Sequence, residues 1–120
     1  MNVISFFSGC GGLDLGFERA GFKVLWANDN AQSISRTYRK NFPSTILSIK
    51  DIKQIEISEI PTNIDGIIGG PPCQSWSNAG KGMGFNDPRG EVFKTFIEIL
   101  DKIKSNIPEC IYLSTFFIIK

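Results

Sequence analysis

Apolar positions along the chain switch between a period of two and a period near 3.6. Residues 3–7 (Val-Ile-Ser-Phe-Phe) form a nearly unbroken apolar run, the pattern of a strand buried on both faces. The run ends at Ser8-Gly9-Cys10-Gly11-Gly12, after which Leu13, Phe17 and Ala20 recur at helical spacing up to Gly21. This predicts strand, glycine turn, helix. Residues 23–28 read as a second strand and 31–40 as a second helix, broken by Asn41-Phe42-Pro43; residues 45–49 read as a third strand. The stretch 51–60 fits neither period. Asp65-Gly66-Ile67-Ile68-Gly69 is a fourth, buried strand that delivers the chain to Gly70-Pro71-Pro72-Cys73. Residues 75–90 are glycine-rich and aperiodic, a long loop of the kind that is uncommon unless functional. Then Val92, Phe93, Phe96, Ile97, Leu100 and Ile103 line one helical face, with Glu98 and Lys102 on the other, and residues 110–119 make a fifth strand.

Strands alternating with helices predict an α/β fold with a doubly wound parallel sheet, in which right-handed crossovers join the strands. With strand order 3-2-1-4-5, strands one and four are neighbours, and ligands bind beyond their carboxyl ends where the order reverses. That topology brings the Gly9–Gly12 turn beside Cys73. A chain of 120 residues holds one domain at most. Thirteen Lys and Arg against twelve Asp and Glu leave a net charge of +1, so composition marks no phosphate-attracting surface. Cysteines 10, 73 and 110 are odd in number and form no C-x-x-C, which argues against a disulfide framework or a zinc site and for a reducing cytoplasm. No stretch is apolar and long enough to span a bilayer, and no targeting signal is evident. Histidine is absent, so Ser-His-Asp triads and Cys-His dyads within this chain are excluded.

Three segments could carry chemistry. The turn Phe7-Ser8-Gly9-Cys10-Gly11-Gly12 lets a ligand approach the backbone at a helix start. Asp29 follows Gly12 by 17 residues, at the end of the second strand, where an acid accepts hydrogen bonds from ribose hydroxyls. The turn is not G-x-G-x-x-G, which weakens a dinucleotide oxidoreductase; a tight turn and a solvated Asp are the plain alternative. Second, two prolines fix the backbone just before Cys73 at the strand-four exit, which preorganises a thiol nucleophile. Cys10 and Cys110 lack that setting and read as packing residues. Third, Asp87 suits a cap of the following helix, and Arg89 suits either a structural pair or a substrate contact.

Taken together, Phe7-Ser8-Gly9-Cys10-Gly11-Gly12-Leu13-Asp14-Leu15-Gly16-Phe17, Gly69-Gly70-Pro71-Pro72-Cys73-Gln74-Ser75-Trp76-Ser77 and Asp87-Pro88-Arg89-Gly90 resemble the opening motifs of the cytosine-C5 DNA methyltransferases, of the bacterial restriction-modification type. The resemblance implies the Rossmann-like S-adenosylmethionine-dependent methyltransferase fold, with residues 1–120 as the amino-terminal part of the catalytic domain. It implies that Phe7, Gly9, Gly11 and Gly12 surround S-adenosylmethionine, that Asp29 holds its ribose and Asp51 and Ile52 its adenine, and that Gly70, Pro72 and Val92 close the pocket. Cys73 becomes the nucleophile, double-stranded DNA the substrate, and the bacterial cytoplasm the setting, without metal or membrane. Three departures stand out. The family's Glu-Asn-Val at the end of strand five is replaced by Ile111-Tyr112-Leu113-Ser114-Thr115-Phe116-Phe117, and Asn30 stands where an aromatic residue often stacks on adenine. The later Gln-x-Arg-x-Arg motif and the target-recognition domain have no counterpart. The expectation is an incomplete sheet, weak cofactor binding and no activity in isolation. The rival readings are a non-catalytic partner-binding subunit and one half of a split enzyme completed by a second chain.

Overall fold

A computed structural model describes residues 1–71, 88–106, 111–114 and 118–119, with residues 88, 89, 111–114 and 118–119 described by their backbone alone. Six strands form one sheet in the order β3-β2-β1-β4-β5-β6: β1 (Asn2–Phe6), β2 (Lys23–Asp29), β3 (Ile46–Ile49), β4 (Gly66–Gly69), β5 (Ile111–Ser114) and β6 (Ile118–Ile119). The helices are α1 (Gly12–Arg19), α2 (Ser35–Asn41) and α3 (Pro88–Asn106). β1 runs parallel to β2 and to β4, β2 to β3, and β4 to β5.

Alternation along β1 assigns the layers, because successive strand residues face opposite sides of the sheet. Val3 packs with Val24, Ile68 and the half-buried Leu13, Phe17 and Phe22 around α1. Ile4 and Phe6 face the other way and join Trp26, Ile67, Phe96, Ile99, Leu100 and Ile103, so α3 covers the opposite face. A second patch under α2 holds Ala27, Tyr38 and Phe42. The β1–β2 register slips by one residue: Val3 pairs with Val24, but Ile4 pairs with Trp26. That bulge brings the Trp26 indole onto the α3 side, edge-on to Phe6 at 5.3 Å.

Several elements differ from the sequence reading. The first helix ends at Arg19, leaving Ala20 as an exposed cap residue. The second helix starts later, as a 3-10 turn (Gln32–Ile34) followed by α2. Its first turn is tightened by local polar contacts, in which the Ser35 hydroxyl donates to the Gln32 carbonyl at 2.8 Å. The ambiguous stretch 51–60 holds two 3-10 turns, Ile52–Gln54 and Ile57–Glu59. The expected fifth strand is two short ones: β5 is parallel to β4, while β6 is antiparallel to β5 and pairs Leu113 with Ile118. A continuous apolar run has no feature that separates one long strand from two. The expected loop over residues 75–87 and the Asp87 cap lie outside the described residues.

Candidate functional site

The site begins where β1 ends. Phe7 has φ 55, a left-handed backbone that costs a non-glycine residue on the order of 1 kcal/mol. It turns the chain out of the sheet and sets the Phe7 ring edge-on to Phe96 at 5.4 Å. The turn is pinned by three hydrogen bonds: the Ser8 amide donates to the Asn28 carbonyl at 3.1 Å, the Gly11 amide to the Ser8 carbonyl at 2.9 Å, and the Gly9 amide to Asp29 Oδ2 at 2.9 Å. Asp29 Oδ1 accepts from the Ala31 amide at 2.9 Å. Asp29 therefore ties the end of β2 to the glycine turn, a role that spacing alone did not reveal. Two kinds of glycine occupy the turn. A Cβ on Gly11, at φ 88, would sit 2.2 Å from the Phe42 ring, so the protein itself requires that glycine. A Cβ on Gly9 or Gly12 would meet nothing within 4 Å among the described residues.

Beside the turn lies a narrow cleft of about 30 Å³ lined by Phe7, Asn28, Asn30, Lys50, Asp51, Ile52 and Val92. The space suits the edge of a planar group more than a whole nucleoside. Its walls come from three separate parts of the chain, and each is anchored. Buried Asn28 donates from Nδ2 to the carbonyls of Ser48 at 3.1 Å and Lys50 at 3.0 Å, joining the ends of β2 and β3. Asp51 Oδ1 accepts from the Lys53 amide at 2.9 Å and so caps the 3-10 turn that carries Ile52. Lys53 reaches Glu91 at 2.7 Å, next to Val92 on α3, and Lys50 reaches Glu59 at 2.7 Å. Each Lys holds its Glu below the ordinary carboxylate range by hydrogen bonding first, and Glu91 in turn raises Lys53. These pairs are largely exposed, so they orient the walls more than they stabilise the fold. A larger cavity, about 320 Å³, lies among Ile57, Ile60, Pro61 and Ile103, near the amino end of β4 and away from the turn.

Beneath the turn lies a buried polar node. Asp14, in the first turn of α1, is 0% exposed. Its Oδ1 accepts from the Ser5 hydroxyl of β1 at 2.6 Å, and its Oδ2 accepts from the Tyr38 hydroxyl of α2. Burial pushes the Asp14 carboxyl above the ordinary carboxylate range, against the opposing pull of Ser5, Tyr38 and its own backbone amide. The Tyr38 hydroxyl is raised by burial, then by its bond to Asp14 and by the charges of Asp14 and Glu18.

Among the residues expected from sequence, Phe7, Asp51, Ile52 and Val92 line the cleft. Gly9, Gly11, Gly12 and Asp29 meet in the adjoining turn. The Gly70 amide points at the Phe6 carbonyl, 3.4 Å away, so the exit of β4 lies beside that turn. Pro72 and Cys73 lie outside the described residues, and the Arg89 side chain is likewise undescribed. Cys10 was expected to pack and instead is exposed in the turn. The node of Ser5, Asp14 and Tyr38 escaped the sequence reading. Its faint signals were a serine inside the apolar run of β1 and an aspartate beside Leu13 on an otherwise apolar-patterned helix. No helix among the described residues is long and apolar enough to cross a membrane, and none of their His, Cys, Asp or Glu side chains group to hold a metal ion.

A doubly wound, mostly parallel sheet with a glycine turn, an acid at the end of β2 and a cleft at the strand-order reversal is the arrangement of an open α/β domain, in which ligands bind at that crevice. The model of the C-5 cytosine-specific DNA methylases matches residues 1–113, and the chain belongs to that family. It is 54% identical over 100 residues to the type II methyltransferase M.NgoPII of Neisseria gonorrhoeae, a match covering 83% of this chain and 29% of that protein. It is equally 54% identical over 104 residues to M.FnuDI of Fusobacterium nucleatum, covering 87% of this chain and 30% of that protein. The crystal structure of a DNMT2 variant from Spodoptera frugiperda superposes with a TM-score of 0.65 at 32% identity, over 88% of this chain and 33% of that one. The chain thus spans about 30% of the length of these relatives. Membership of a methyltransferase family implies the use of S-adenosylmethionine in general terms.

Two predictions follow from the geometry. Gly11→Ala should destabilise the fold by roughly 2–4 kcal/mol, through left-handed strain and overlap with Phe42, whereas Gly12→Ala should stay within about 0.5 kcal/mol in urea unfolding. Equal losses would erase the distinction between the two glycines. The second concerns pH. A carboxyl raised by burial favours folding below its unfolded value, near 3.9, and that contribution is lost as pH rises through the folded value. Relative to Asp14→Asn, the native chain should therefore lose stability as pH climbs from about 3 to about 7. The opposite trend would mean that the two hydroxyl bonds outweigh burial.

Proposed function

We propose that the protein is a DNA cytosine-C5 methyltransferase of the restriction-modification type, acting on double-stranded DNA in the bacterial cytoplasm. Residues 1–120 are the amino-terminal part of its catalytic, S-adenosylmethionine-binding domain. The observation that carries this reading is the convergence of Phe7, Asp51, Ile52 and Val92 on one cleft beside a glycine turn, in a chain of the cytosine-specific family.

The residues present fit the cofactor. Among the described residues, Gly9 and Gly12 leave open the space that side chains would fill, and Ser8 Oγ is buried in the turn without a hydrogen-bond partner. Asp29 retains acceptor capacity on both oxygens after taking the Gly9 and Ala31 amides, so it can also receive ribose hydroxyls. Asp51 and Ile52 form the edge that meets adenine, with Phe7 and Val92 on either side; Gly9, Gly11 and Gly12 line the turn, and Gly70 closes it from the exit of β4, while Pro72 is assigned to the pocket by the family resemblance. When bound, the cofactor supplies an electrophilic methyl group on sulfonium sulfur.

Cys73 is the nucleophile. Carbon 5 of cytosine is too electron-poor to attack a methyl group unaided, but addition of the Cys73 thiolate at C6 converts C5 into an enamine carbon. After methylation, loss of the C5 proton and expulsion of the thiolate restore the ring. Inside the duplex the base cannot be reached, so it has to be flipped out. Residues 1–120 contain no histidine, so none of them can act as a His base for the Cys73 thiol.

The test is covalent trapping. Residues 1–113 are grafted into M.NgoPII in place of its matching segment, and the hybrid is presented with DNA carrying 5-fluorocytosine, from which fluorine cannot leave as the proton does. Mass spectrometry should find the adduct on Cys73 and none on Cys10 or Cys110, and Cys73→Ser should abolish it. An adduct on another cysteine, or trapping by the serine variant, overturns the assignment.

A further inference from the structure

Asp14 is fully buried, its burial disfavours the charged form, and yet it sits in the first turn of α1, two residues after Gly12. A hydrophobic residue of similar size would pack there at lower cost, since burying an ionisable group is expensive unless it is well paired. What Asp14 provides is a junction of three elements. The Ser5 hydroxyl binds it to β1 and the Tyr38 hydroxyl binds it to α2. The same α2 also presses on the turn from the side: the Tyr38 and Phe42 rings lie 4.7 Å apart, and Phe42 occupies the space a Cβ of Gly11 would need. Asp29 holds the opposite side of the turn through the Gly9 amide.

We propose that Asp14 is a positioning residue for cofactor binding, which locks the amino end of α1 to β1 and α2 and so fixes the backbone amides of residues 9–13 before the ligand arrives. This rests on the assignment of the turn to S-adenosylmethionine. Preorganised donors bind without the entropy of being ordered on arrival, so loosening the node weakens binding while the sheet stays intact. Asp14 touches no ligand itself; it acts through the turn.

Tyr38→Phe removes one hydroxyl at constant ring volume, and Ser5→Ala removes the other as an independent variant if the first fails to fold. Two readouts are taken on the 120-residue chain: amide hydrogen exchange by NMR, and S-adenosylmethionine affinity by calorimetry. In either variant, exchange should accelerate at Gly9, Cys10, Gly12 and Leu13 while the amides of β1 and β4 keep their protection, and affinity should fall by about five- to tenfold, the net worth of one buried hydrogen bond. Unchanged exchange in the turn overturns the proposal. So does acceleration shared equally by β1 and β4, which would make the node a general support of the fold. If the native chain binds no S-adenosylmethionine, the cofactor assignment fails, and the exchange pattern alone then decides whether Asp14 orders the turn.

Discussion

The parallel pairing of β1 with β2 on one side and β4 on the other is the constraint from which the site follows. Because β1 sits between them, its carboxyl end is flanked by the ends of both neighbours, and the chains that leave those ends travel to opposite faces. The α1 and α2 side chains pack with Val3, Val24 and Ala27, and those of α3 pack with Ile4, Phe6 and Ile67. A crevice is left between the two departing layers, and its walls are the glycine turn, the segment around Asp51 and the first turns of α3.

Apolar and polar groups divide the work in that arrangement. The edge-on ladder of Trp26, Phe6, Phe96 and Phe7, with neighbouring centroids 5.3 to 5.4 Å apart, runs from the core to the wall of the cleft. It carries the rigidity of the sheet into Phe7, the one non-glycine among the described residues that adopts left-handed backbone. Polar groups set the fine geometry: Asn28 fastens the ends of β2 and β3, Asp29 fastens the turn, and Asp14 fastens the helix that follows it. The Asp14 bond is buried and the others are part-buried, and a hydrogen bond shielded from water holds its partners more tightly than one on the surface.

Much of this was legible in the residues. The apolar run of β1, the glycines after it and the buried Gly66-Ile67-Ile68-Gly69 strand carry strong periodic or turn signals, and the strand order follows from alternation of strand and helix. Membership of the methylase family was legible in the motifs around Gly9–Gly12 and Cys73. What escaped the reading depends on contacts distant in sequence. Asp14 meets Tyr38 across 24 residues, and Lys53 meets Glu91 across 38. No local pattern encodes such pairs. The bulge in β2 and the division of the last apolar stretch into β5 and β6 were hidden for a related reason: a run of apolar residues states burial but not register.

The central claim, that the turn after β1 and the cleft beside it form the cofactor site, is tested most directly by titrating the ¹⁵N-labelled chain with S-adenosylmethionine and mapping the amide shifts. The account predicts saturable shifts concentrated at Gly9, Gly12 and Leu13 of the turn, at Asp29, at Asp51 and Ile52, and at Val92. Shifts centred instead on Ile57, Ile60, Thr62 and Ile103, around the larger cavity of about 320 Å³, would contradict it.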